Sequence, residues 1–148
     1  MPGPAVTKVM QIGIVVPDLE AAIRAWEERL GVGPWTVFTL DPADCRDVRV
    51  NGRPAEWSAR AATTMVGEVM LELIEPVRDD DLFGTFLAEH GPGVHHVAMR
   101  TPDYDGVLAG HAARGEELVL TGRFTGIDVS YLPTQQDLGV LLEVFKGF

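Results

Sequence analysis

A single cysteine, Cys45, is the whole of this chain's thiol chemistry. One cysteine excludes an intrachain disulfide, and a reducing cytoplasm is the simplest compartment for such a chain. Cys45 has no histidine close to it in sequence, so it reads as an inert loop thiol rather than a nucleophile. Cations are scarce as well: 12 Lys and Arg stand against 22 Asp and Glu, for a net charge of −10 and a pI near 4.7. A nucleic-acid binder needs a basic stripe, so that class is set aside. No apolar run approaches the ~20 residues of a membrane span. The first residues lack a charged n-region followed by a long apolar h-region, so no signal peptide is expected. What remains is a chain of 148 residues, 46% hydrophobic, which is one domain's length with enough apolar material to bury a core.

Within that length the chain repeats itself. Gln11-Ile12-Gly13-Ile14-Val15-Val16-Pro17-Asp18 lies over His96-Val97-Ala98-Met99-Arg100-Thr101-Pro102-Asp103. Each copy reads as an apolar strand, then Pro-Asp, then a helix. The far ends also match: Gly67-Glu68-Val69-Met70-Leu71-Glu72-Leu73-Ile74 resembles Gly139-Val140-Leu141-Leu142-Glu143-Val144-Phe145. Two copies do not make a solenoid; they imply two similar halves sharing one core. Each half opens on a polar strand residue (Gln11, His96) and closes on a carboxylate in an apolar strand (Glu72, Glu143).

Residues 1–7 read as a tail. Strands are expected at 9–16, 35–40, within 56–65 and at 68–74, with a helix at 19–30 whose apolar residues Leu19, Ala22, Ile23, Trp26 and Leu30 keep helical spacing. Asp18 is a suitable N-cap, and Gly31 a suitable stop. A short helix starting near Asp79-Asp80-Asp81 occupies the connector 77–91. The second half follows with strands at 94–100, 118–124, 127–132 and 139–145 and a helix at 102–113. The order is βαβββ twice, in halves of about 8–76 and 92–148, and the fold class is α+β.

Gln11 and Glu72 stand 61 positions apart, His96 and Glu143 only 47, so the first half carries 14 extra residues. The surplus fits best at 41–55. Arg46, Arg49 and Arg53 fall there and Arg60 just beyond, four of the twelve cations within 15 positions. A solvated loop is the preferred reading of the insert. The sharper one is a flap over a phosphate- or carboxylate-bearing substrate, groups that Arg suits.

Strand side chains alternate faces. His96, Ala98 and Arg100 share one face, Gln11, Gly13 and Val15 another, Glu72 sits with Met70 and Ile74, and Glu143 with Leu141 and Phe145. A carboxylate among apolar residues is costly to bury unless paired or bound to metal. If the halves meet pseudo-symmetrically, Gln11, Glu72, His96 and Glu143 converge as one amide oxygen, one imidazole and two carboxylates. Such a set would hold a divalent ion, with Zn²⁺, Ni²⁺, Co²⁺ and Mn²⁺ all chemically admissible. Singly, each has a plainer reading: His96 as a hydrogen-bonded core histidine, Gln11 as a routine strand residue, Glu72 and Glu143 as sheet-edge surface residues. His95, on the other face, is structural. The metal reading rests on the repeat.

Over residues 11–35 and 93–145 the chain resembles the vicinal oxygen chelate superfamily, which includes glyoxalase I, methylmalonyl-CoA epimerase, extradiol dioxygenases and antibiotic-resistance proteins. The resemblance implies paired βαβββ modules forming a cupped, mostly antiparallel eight-stranded sheet around a metal, and a homodimer. The family's four ligand positions map onto Gln11, Glu72, His96 and Glu143, a set similar to that of eukaryotic-type glyoxalase I. Leu71-Glu72-Leu73-Ile74-Glu75-Pro76 and Gly93-Val94-His95-His96-Val97-Ala98 look closer to methylmalonyl-CoA epimerase. There are departures. Epimerases usually have His where Gln11 stands, and their strand-3 catalytic Glu aligns with Arg60. Glyoxalase I has a glutathione-binding Arg at Val15 and an Asn at Pro76. Extradiol dioxygenase and fosfomycin-thiol chemistry rank low, because Gln11 replaces a required His.

The resemblance to glyoxalase I and methylmalonyl-CoA epimerase implies a metal-dependent isomerase or lyase that removes a proton next to a carbonyl through a metal-bound enediolate. Glu143 is the expected base and Glu72 its partner across the site. Arg100 and Arg60 are candidate holders of an anionic carbonyl substrate or an acyl-CoA, and Asp128, Ser130 and Tyr131 candidate lining. The rival class is a non-catalytic antibiotic-binding protein of the same fold, with Trp35, Trp57, Phe38 and Phe124 around the ligand, although core packing is their preferred role. A third is a metal enzyme from another branch of the superfamily.

Overall fold

The computed structural model describes residues 3–147; of the expected tail at 1–7, Met1 and Pro2 lie outside the described residues. The tail ends earlier than its sequence implies. Val6 packs against an apolar cluster, and the Thr7 amide donates to the Arg100 carbonyl at 2.9 Å. Among the described residues there are ten strands rather than eight: β1 (Lys8–Val15), β2 (Thr36–Leu40), β3 (Cys45–Val50), β4 (Arg53–Pro54), β5 (Ala59–Val66), β6 (Val69–Glu75), β7 (Gly93–Arg100), β8 (Leu120–Phe124), β9 (Ile127–Tyr131) and β10 (Leu141–Lys146). Four helices accompany them: α1 (Leu19–Leu30), α2 (Leu82–His90), α3 (Tyr104–Ala113) and the short α4 (Gln135–Leu138).

The chain forms two compact units. One comprises residues 11–42 and 56–95, the other the described residues of 1–10, 43–55 and 96–148. In the first, the strands run in the order β2-β5-β6-β1. β1 and β6 are parallel, with Gln11 opposite Met70 and Gly13 opposite Glu72, while β5 is antiparallel to both β6 and β2. Asp18 starts α1 as the sequence predicts, accepting from the Ala21 amide at 3.0 Å, and Gly31 ends it in the left-handed conformation at φ 63°. The apolar stripe of α1 covers one sheet face: Leu19, Ala22, Ile23 and Trp26 pack with Val16, Ala62, Leu73, Ile14 and Trp35. Fully buried aliphatic residues of this kind supply roughly 1.5–3 kcal/mol each. In the connector, α2 is capped by Asp81 on the Gly84 amide at 2.8 Å. Its Phe83 and Phe86 meet the buried His95 ring edge-on, each at 5.0 Å between centroids. His95 thus has the structural place expected of it.

In the second unit the order is β7-β10-β9-β8-β3-β4. β7 and β10 are parallel, and the remaining neighbours antiparallel. α3, capped by Asp103 on the Gly106 amide at 3.0 Å, covers one face: Tyr104, Val107 and Leu108 pack on Val97, Met99, Leu142 and Val144. The insert is not a loop. It is the β3–β4 hairpin, laid antiparallel on β8, turning at Asn51 and Gly52 with φ 50° and 78°. Left-handed values at both central residues are what a two-residue hairpin turn requires, and Asn-Gly supplies them at little cost. Arg46, Arg49 and Arg53 are all exposed on it. Among the described residues no helix is long and apolar enough to cross a membrane.

Candidate functional site

In each unit the helix covers one sheet face, and the candidate ligands stand on the other. Strand pairing decides this, because register partners project to the same side. In the first unit Gln11 and Gly13 of β1 share a face with Met70 and Glu72 of β6 and with Thr63 of β5, Glu72's partner. Gln11 and Met70 touch: the Gln11 Nε2 donates to the Met70 Sδ at 3.4 Å. Glu72 lies between buried Leu71 and Leu73 in sequence, and burial pushes its carboxyl up from 4.5 to about 7. Removing a carboxylate from water disfavours its charged form, and a cation beside it would reverse that.

In the second unit β7 and β10 place Ala98 opposite Glu143 and Leu141 opposite His96. His96 and Glu143 therefore project side by side, with the imidazole Nε2 3.8 Å from the Glu143 Oε2. Both are buried, at 0% and 8% exposure. That distance exceeds a hydrogen bond. It falls inside the roughly 3–4 Å that separates two donor atoms on one ion with bonds near 2.1 Å. β9 sets Tyr131 opposite Glu143, and the Tyr131 ring stacks on His96 at 5.0 Å with 26° between planes. The imidazole is thereby held from one face by an aromatic ring that is itself 1% exposed. Each unit thus offers donor types that suit a first-row divalent metal: an amide and a carboxylate on one face of the first, an imidazole beside a carboxylate in the second.

The other predicted residues divide by strand parity. Arg100 ends β7 on the His96 face and is exposed. Arg60 is opposite Glu75, one position out of phase with the Thr63–Glu72 face, and points to the helix side of the sheet. There it is held by Glu20 of α1 and by Glu75, whose other oxygen caps the Leu19 amide at 3.0 Å. Both carboxylates keep Arg60 fully charged, and Arg60 in turn holds the Glu20 carboxyl below its ordinary range. The structure does not bring Arg60 to the Glu72 face. Asp18, Glu20 and Glu75 come close enough to suggest a cation site, but the guanidinium is the cation there. Of the three β9 candidates, Tyr131 alone shares the Glu143 face. Ser130 bonds the Tyr104 hydroxyl at 2.6 Å and Asp128 pairs with Arg123 at 2.9 Å, both on the opposite side. Phe38 and Phe124 lie on the ligand faces of their units, whereas Trp35 packs with α1. Met70 is the residue that the sequence pattern does not single out; its place beside Gln11 follows only from the β1–β6 register.

Comparison with known proteins bears on the family and the fold. A family model described as the glyoxalase/bleomycin resistance protein/dioxygenase superfamily matches residues 10–131. The uncharacterized protein YqjC of Bacillus subtilis (strain 168) is 27% identical over 138 residues, which span 90% of this chain and 87% of that one. Among solved structures, a variant of Streptomyces coelicolor methylmalonyl-CoA epimerase in complex with 2-nitronate-propionyl-CoA superposes with a TM-score of 0.70 at 25% identity, covering 96% of this chain and 95% of its own. Methylmalonyl-CoA epimerase from Mycobacterium tuberculosis gives 0.71 at 22% identity, covering 100% and 93%. The matched model covers most of the chain, the fold is that of the vicinal oxygen chelate proteins, and the chain belongs to the glyoxalase/bleomycin resistance protein/dioxygenase superfamily.

Proposed function

We propose that this protein is a divalent-metal-dependent isomerase or lyase, epimerase- or glyoxalase-like, that removes a proton from the carbon next to a carbonyl. The observation that carries the reading is the buried pair on the β7–β10 face, His96 Nε2 3.8 Å from Glu143 Oε2. Superfamily members generally use divalent metals. In this reading Gln11, Glu72, His96 and Glu143 hold the ion, which is Zn²⁺, Ni²⁺, Co²⁺ or Mn²⁺. When bound, it supplies a Lewis acid that stabilises negative charge on the carbonyl oxygen. Glu143 takes the proton from the adjacent carbon, and Glu72 returns one on the opposite side.

The substrate class is an anionic carbonyl compound or an acyl-CoA. Its support is that the similar epimerase structures hold such molecules, one of them 2-nitronate-propionyl-CoA and another methylmalonyl-CoA. In this reading Arg100, exposed at the end of β7 on the His96 face, holds its anionic part. The reading takes the halves 8–76 and 92–148, joined through 77–91, as one cytoplasmic domain acting as a homodimer.

The test is elemental mass spectrometry of protein purified without a His-tag, for wild type and Glu143→Ala. About one transition metal per chain, lost in the variant, supports the site. Solvent-deuterium exchange into acyl-CoA and 2-oxoaldehyde substrates then separates epimerase from glyoxalase chemistry. A metal-free wild type that also refuses added Zn²⁺, Co²⁺ and Ni²⁺ sinks the enzymatic reading.

A further inference from the structure

We propose that Met70 is a positioning residue for Gln11: its sulfur accepts from the Gln11 carboxamide and decides which limb of that amide remains to act as a ligand. The inference rests on the ligand role proposed for Gln11 above. Its geometry lies within one unit. Parallel strands β1 and β6 make Gln11 and Met70 register partners on one face, and Gln11 Nε2 stands 3.4 Å from Met70 Sδ. Glu72 is two residues further along β6 on that same face.

The chemistry follows from the two limbs of a carboxamide. The oxygen carries lone pairs and ligates metals; the nitrogen's pair is delocalised, and its hydrogens donate. An amide at this place is useful only if its oxygen is presented. A thioether accepts and has no proton to give. Met70 is therefore compatible with the NH₂ limb and not with the oxygen, which turns the oxygen away from β6's Met70. A hydroxyl side chain there would accept either limb, and an aliphatic one would select neither. The bland alternative is that Met70 only fills space, a common use of its flexible side chain. Met70 and its β5 neighbour Met65 are both partly open to solvent, however, and Met70 belongs to neither helix-side core cluster.

Metal-stripped protein titrated with Co²⁺, followed by its visible absorption, tests the idea in a double-mutant cycle of Met70→Leu and Gln11→Glu. Leucine conserves volume and removes the acceptor. Glutamate has two equivalent oxygens and no donor, so it has no limb to select. The expected result is a loss of about 10-fold in Co²⁺ affinity for Met70→Leu with Gln11 present, the scale of outer-shell effects on metal sites, and no loss in the Gln11→Glu background. Unchanged affinity in Met70→Leu overturns the proposal, as does an equal loss in both backgrounds, which assigns Met70 to packing. If wild type takes up no Co²⁺, the metal reading of the protein fails instead. The side-chain NH₂ resonances of Gln11 in metal-free protein, read by nitrogen-15 NMR, then decide the contact: a shift on Met70→Leu supports the pinned amide, and none overturns it.

Discussion

Gly84, in the first turn of α2, leaves no room for a methyl group. A Cβ there would stand 2.0 Å from the Arg78 carbonyl oxygen and 2.8 Å from the Asp79 carbonyl carbon. Both are backbone atoms, so no side chain can swing aside, and the amide of Gly84 is already fixed by the Asp81 cap. Gly84→Ala is expected to destabilise the protein by roughly 1–3 kcal/mol, the usual cost of overpacking, despite alanine's better helix propensity. Gly93 is the control, since a Cβ there meets nothing within 4 Å. Urea midpoints for the two variants decide it; equal midpoints would mean that the 78–84 turn yields freely.

At the scale of elements, the start of α3 is set by one carboxylate, that of Asp103. Asp103 Oδ1 takes the Gly106 amide at 3.0 Å, and a Cβ on Gly106 would meet Asp103 Oδ2 at 2.1 Å. Asp103→Ala is expected to cost about 1 kcal/mol as a lost N-cap. Gly106→Ala displaces the same carboxylate, so the double variant should fall short of the sum of the singles. Additive losses in a thermal or urea series would show that the two act separately. Caps of this kind are legible in the amino-acid sequence: Asp18 and Asp103 each follow Pro and precede an apolar helical stripe; Asp18 caps as expected, while Asp103 caps a helix that begins at Tyr104, two residues later than the expected 102. The strands carrying Gln11, Glu72, His96 and Glu143 are legible for the same reason, since β-branched and apolar runs bounded by Gly or Pro have few other outcomes. The β3–β4 hairpin is hidden by its composition, because Cys-Arg-Asp-Val-Arg-Val reads as a solvated segment. Yet Asn51-Gly52, the turn dipeptide at its tip, is a usable signal, and the left-handed Asp47 marks the bulge that breaks its alternation. Alternation alone puts Met70 on the Glu72 face, but neither its pairing with Gln11 nor the place of Arg60 is legible in the sequence. Both relations depend on the β5–β6–β1 register, and a shift of one residue inverts each of them.

For the whole molecule, two desolvated groups, the half-buried Glu72 and the buried His95, pull stability in opposite directions with pH. Folding raises Glu72 from 4.5 to about 7, so in that window the native protein holds a proton that the unfolded chain has released. Stability therefore falls as pH rises from 4.5 to 7. Folding lowers His95 from 6.5 to about 4, through burial and then the nearby His90. Here the unfolded chain holds the extra proton, and stability rises with pH from about 4 to 6.5. Each shift alone is worth on the order of 3 kcal/mol across its window, and between 4.5 and 6.5 the two nearly cancel. Chelator-treated wild type should accordingly show little change in Tm from these groups over that span. Glu72→Gln removes the falling component and exposes the rising one, so its Tm should climb steadily with pH from 4.5 to 6.5. The carboxylates held down by Arg partners, such as Asp128 beside Arg123, are common to both proteins and drop out of the difference. Parallel Tm–pH curves for the two would mean that Glu72 is solvated in the metal-free protein. If Glu72 is instead a ligand as proposed, a bound ion must displace its proton, and Co²⁺ affinity in wild type should weaken as pH falls below 7. The same substitution thus reads the burial of one carboxylate through stability and its service to the metal through affinity.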